Sequence, residues 1–118
     1  MEEPVDLATL CTTMLDANRD LFASGHIEAA YHALATALHL ATDAGDAPTL
    51  HDIHGIAVEQ HQQLASWIAA ATGAWRQSVE TARWASLERI YNSAIRQART
   101  RALTVELRAK TDDSERDA

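Results

Sequence analysis

The sequence predicts an all-α fold, a bundle of four antiparallel helices with two short and two long members. Three observations carry that expectation. Alanine and leucine dominate the apolar residues, which form 47% of the 118-residue chain, while valine and isoleucine are few. Residues of that kind lose little entropy on entering a helix. There are only two prolines and four glycines, and each of three short breaks contains a glycine. No run of four or more residues alternates apolar with polar as a half-buried strand would. The length suits one domain with its own core, expected as a helical body over 1–110 and a polar, disordered tail over 111–118.

The first helix is expected from just after Pro4 to about Phe22. Pro4 suits a first turn, and Glu2, Glu3 and Asp6 suit the positive end of the helix dipole. Leu7, Leu10, Met14 and Leu21 form its expected inner side. "ASGH" at 23–26 ends it, with Gly25 free to take the left-handed conformation beyond a helix end.

The second helix is expected over 27–43. Its core face reads Ile27, Tyr31, Leu34, Leu38 and Ala41, and a second stripe of Ala29, Ala33, Ala37 and Ala41 repeats every four residues. Methyl groups in a row let a neighbouring axis approach closely, so this helix should be contacted on more than one side. "TDAGDAPTL" at 42–50 breaks the chain. Gly45 closes one helix, Asp46 or Thr49 caps the next, and Pro48 fits its first turn. The third helix then runs to about Ala71, burying Leu50, Ile53, Ala57, Leu64, Trp67 and Ile68.

A third break is expected at "TGAWRQS", residues 72–78, on the strength of Gly73. The fourth helix, from about Val79 to Lys110, is the longest. Its inner seam reads Trp84, Leu87, Tyr91, Ala94, Ala98 and Ala102. Beyond residue 100 the stripe changes side: Leu103 and Leu107 point away from the seam while Arg101 and Arg108 fall near it. That switch predicts an end that overhangs its own bundle and packs on another chain. Trp67, Trp75 and Trp84 flank the third break and are expected to plug the end of the bundle there.

The stretch "LFASGHIEAAYHALATALHLA" resembles the core of a tetratricopeptide repeat. Gly25, Ile27, Ala30, Leu34 and Ala37 stand where that repeat places a glycine, an apolar residue, an alanine, a larger residue and a small one. The resemblance covers residues 7–42. Thirty-four residues on, Glu59 and Leu64 stand in place of Gly25 and Ala30, so no second copy follows. What it implies is a TPR-like first hairpin, completed by a longer second hairpin, and a role in protein–protein contact.

Charge is distributed unevenly. The formal net charge is −7. Residues 1–75 hold ten acids and one base, Arg19; residues 76–110 hold eight bases and three acids; the tail is again acidic. An acidic half and a basic helix should face each other, within one molecule or between two. The single cysteine, Cys11, lies among Leu10, Met14 and Leu15 and reads as a buried, inert thiol. One thiol forms no internal disulfide and fits a reducing compartment. The acidic amino terminus does not resemble a secretory leader. The longest uncharged stretches fall short of the ~20 apolar residues of a membrane span. A cytoplasmic protein without a membrane role is expected.

All six histidines, at 26, 32, 39, 51, 54 and 61, fall within 36 residues. Imidazole is a common transition-metal ligand, and facing helices can bring ligands together. A site for zinc, iron, copper or nickel on His51, His54 and His61 is therefore the alternative reading. The spacing opposes it: no two histidines stand four apart, and Glu-x-x-His is missing. The plainer expectation pairs Glu28 with His32 and His39 with Asp43 along one helix surface.

No phosphate loop and no Gly-x-Ser-x-Gly elbow is present, and no catalytic activity is expected. Arg89, Arg96, Arg99 and Lys110 share an outer face that could meet phosphates. An acidic chain without interleaved aromatics argues against nucleic acid. The expected function is self-association, as a dimer, and contact with other proteins. Leu103, Leu107, Arg96, Arg99, His32 and His39 are the expected contact residues, and no cofactor is expected.

Overall fold

A computed structural model describes residues 6–70 and 79–117, excepting the side chains of 79–82 and 116–117. Within them lie four α-helices and no strand: α1 (Leu7–Ala23), α2 (Ile27–Ala44), α3 (Ala47–Ala70) and α4 (Val79–Asp117). The fold is an all-α helical bundle. The third break and Trp75 lie outside the described residues.

Local chemistry sets the helix ends. Asp6 caps α1, its carboxylate accepting from the Thr9 N–H at 2.7 Å. That bond holds the Asp6 carboxyl below its ordinary value, because it favours the charged form. Gly25, at φ 83°, and Gly45, at φ 65°, take the left-handed conformation that a side chain disfavours. Asp46 is the cap of α3: its carboxylate accepts from the Thr49 N–H at 3.1 Å and from the Thr49 hydroxyl at 2.6 Å. Pro48 then falls in the first turn, where a missing N–H costs no helix bond.

α1 packs on α2 and α3 on α4, and α2 also touches both α3 and α4. The expectation that α2 is contacted on several sides holds for that reason. Ala33, Ala37 and Ala41 are buried, whereas Ala29 is exposed and Ala30 is fully buried in its stead. The seam of α4 is as expected from Leu87 to Ala102, with Tyr91, Ala98 and Ala102 fully buried. Leu50, Ile53, Ala57 and Leu64 form the buried stripe of α3.

Two expectations are corrected. The inner side of α1 is not centred on Leu7 and Leu10, both 37% exposed. Cys11 and Asn18 are buried instead, with Met14, Leu15 and Phe22 packed beside the core. The face is turned because a polar residue, Asn18, finds partners there. The end of α4 also differs. Ala102 is fully buried and Val105 packs on the core, so the helix stays on its bundle to about residue 106. Arg101 sits near the seam because it reaches α2, where it donates to His39 Nδ1 at 3.1 Å and Thr42 Oγ1 at 3.3 Å. Only from Leu107 on is every described side chain exposed. The helix continues to Asp117, past the expected end at Lys110. No glycine or proline follows residue 78 to stop it.

The body is elongated, with extents of 64 × 39 × 17 Å and a radius of gyration of 17.3 Å. A compact chain of this length would have about 13.5 Å. No helix among the described residues is long and apolar enough to cross a membrane.

Candidate functional site

Three of the five histidines of α2 and α3, His39, His51 and His61, turn to α4, each to a different residue, and His54 of α3 is half-buried. His39 accepts from Arg101. His51 lies within hydrogen-bonding distance of Glu106. His61 Nε2 lies 3.5 Å from Glu88 Oε1; that nitrogen is shielded from solvent and makes no hydrogen bond, so the two groups are neighbours without a bond. Among the described residues no three histidine, cysteine or acidic side chains converge to hold a metal ion. The three-histidine set of His51, His54 and His61 is therefore not assembled. Ten residues separate His51 from His61, about 15 Å along the axis, and each is drawn to a different glutamate.

Within α2 the expected four-residue pairs give way to contacts with α4. Glu28 meets Arg83 at 3.5 Å, and His39 meets Arg101. At Glu28 the guanidinium of Arg83, always charged and with several donors, is a stronger partner for a carboxylate than the His32 ring. His32 is exposed and sets its ring edge-on to Tyr31, with centroids 5.4 Å apart. It borders an open cleft of about 540 Å³ with His26, Glu28 and Arg83. The acidic hairpin and the basic helix thus do meet within one molecule, at Glu28–Arg83.

Among the described residues, Trp67 and Trp84 belong to an aromatic cluster at the end of α3. Trp67 stacks on Phe22 at 5.4 Å and stands edge-on to Trp84 at 6.1 Å. Trp67 stays 37% exposed, so it covers the end of the core instead of entering it.

At the centre lies a polar set that the sequence reading passed over. Asn18 of α1 and Gln60 of α3 form a reciprocal amide pair. Asn18 donates to Gln60 Oε1 at 3.1 Å, and Gln60 donates to Asn18 Oδ1 at 2.6 Å. Asn18 Nδ2 also donates to the Ala30 carbonyl of α2 at 2.7 Å, and the Tyr91 hydroxyl of α4 donates to Gln60 Oε1 at 2.7 Å. One network therefore touches all four helices. Burial pushes the Tyr91 phenol well above its ordinary value, against a lowering contribution from Asn18. The signal was there to find: Asn18 follows Cys11 by seven residues and Gln60 precedes Leu64 by four. Polar residues thus stand on apolar stripes, where burial demands a partner.

The outer face of α4 is the other distinctive region. Leu103 is 48% exposed and Leu107 63%, and Arg96 and Arg99 precede them on the same side, also exposed. Such a face can bind an apolar, acidic surface; it holds no arrangement suited to bond making. Cys11 is buried, and burial together with the Asp46 charge raises its thiol, which leaves it a poor nucleophile. The chain matches no protein-family description, no curated protein and no solved structure.

Proposed function

We propose that this protein acts by contact, as a small helical module that binds protein surfaces and associates with a second copy of itself, and that it catalyses no reaction. The observation that carries the reading is the exposed pair Leu103 and Leu107, 48% and 63% accessible on a helix that runs on past its own bundle. Large exposed apolar residues grouped on one face mark interaction sites far more often than leucines scattered singly do. Arg96 and Arg99 extend that face with charge of the sign opposite to the rest of the chain. The TPR-like pattern of residues 7–42 supports contact as the mode of action. His32 and His39, exposed on the acidic second helix, supply a further contact surface. One buried thiol suits a reducing compartment such as the cytoplasm.

Light scattering tests the proposal. The wild type should run at twice the 12.9 kDa of one chain, and Leu103→Ser/Leu107→Ser at the single-chain mass with unchanged helicity. A wild type that stays at the single-chain mass at every concentration overturns it.

A further inference from the structure

We infer the geometry of that association, and the inference rests on the proposed self-association. α4 of one copy packs against α4 of the second, the two running in opposite directions about a two-fold axis between Leu103 and Leu107. Along α4 the residues Arg96, Thr100, Leu103, Leu107, Lys110 and Ser114 are separated by four and three in turn. That spacing keeps one stripe turned to a partner helix. All six are exposed, and at about 100° per residue they cover about 80° of the helix. The buried Tyr91, Ala94, Ala98 and Ala102 lie on the opposite side, so the centre of the stripe points away from α2 and α3.

Charge decides the direction. Two stripes in parallel would set Arg96 on Arg96 and Lys110 on Lys110, like charges in the middle of the contact. In opposite directions Leu103 meets the second copy's Leu107, and Leu107 its Leu103. Arg96 then faces Ser114, and Lys110 faces Thr100. The edges of the stripe agree with this register. Arg99, Glu106 and Asp113 follow at seven-residue spacing along one edge, while Gln97, Thr104 and Thr111 along the other carry no charge. About such an axis each edge meets its own counterpart. Arg99 of each copy therefore lies beside Asp113 of the other, within about 3 Å along the axis. Charged pairs at these edge positions set partner choice and orientation. Both residues are exposed, and among the described residues no ion pair within the chain engages either. Glu106 comes opposite its own counterpart, but His51 lies within hydrogen-bonding distance and draws that carboxylate toward α3. A stripe that matches itself closes the assembly at two chains.

Charge reversal tests the geometry, read by light scattering over a concentration series. Arg99→Asp and Asp113→Arg each set like charges together at both ends of the contact. Each should raise the concentration at which half the chains are paired by about tenfold or more. Both positions are exposed, so the helicity of either variant should equal that of the wild type. Arg99→Asp/Asp113→Arg restores opposite charges at both ends and should return to the wild-type midpoint, as should an equimolar mixture of the two single variants. A midpoint that neither single variant moves overturns this geometry while self-association stands. A double variant no better paired than the single ones overturns it too. A wild type that stays monomeric removes the self-association itself, and this contact with it.

Discussion

Asn18, Gln60 and Tyr91 are joined so that their losses differ in cost. Tyr91→Phe removes one hydroxyl, but Gln60 Oε1 keeps its bond from Asn18. The ring keeps its edge contacts with Phe22 and Tyr31 at 6.3 and 5.9 Å. The expected loss is about 1 kcal/mol. Asn18→Ala leaves the Gln60 amide donor buried without a partner and opens space beside it, which should cost about 3 kcal/mol. Chemical denaturation of the two variants checks the order; a larger loss for Tyr91→Phe would contradict the bonding described. The sequence shows Tyr91 as a seam residue, but its partners are remote in the chain. Gln60 and Tyr91 are 31 residues apart and Asn18 and Gln60 are 42 apart. Helical periodicity reports which side of one helix is buried, and says nothing of what lies across from it.

Helices meet here through alanine. Ala94, Ala98 and Ala102 keep α4 close to its neighbours, and the last two are fully buried. Ala98→Leu adds volume where no gap exists and should destabilise by about 1–3 kcal/mol. Ala109→Leu, at an exposed position of the same helix, should change stability by no more than about 0.5 kcal/mol. Thermal unfolding of the pair measures the contrast, and equal melting temperatures would deny the seam its role. The seam of α4 was legible because its alanines continue the stripe of Leu87 and Tyr91, and so were the turns, through Gly25, Gly45 and Asp46. The rotation of α1 was not. Leu7 and Leu10 read as core on hydrophobicity alone, whereas Asn18 is buried on the strength of bonds that periodicity does not register. The far end of α4 escaped for a related reason. Arg101 belongs to the bundle through His39, 62 residues earlier, and charge on a stripe looks like a stripe ending.

At the scale of the molecule, α2 packs along α1 and also against α3 and α4, while α1 reaches α3 through Asn18 and Gln60. The outermost element is α1, and the lone thiol lies beneath it. Cys11 is 5% exposed and donates to a carbonyl of α2. A thiol-reactive dye must therefore wait for α1 to lift. In the folded protein its rate should equal the rate on an unfolded chain multiplied by the fraction of time the hairpin stands open. The chain thus has a built-in clock for its own breathing, and Asn18→Ala should make it run faster.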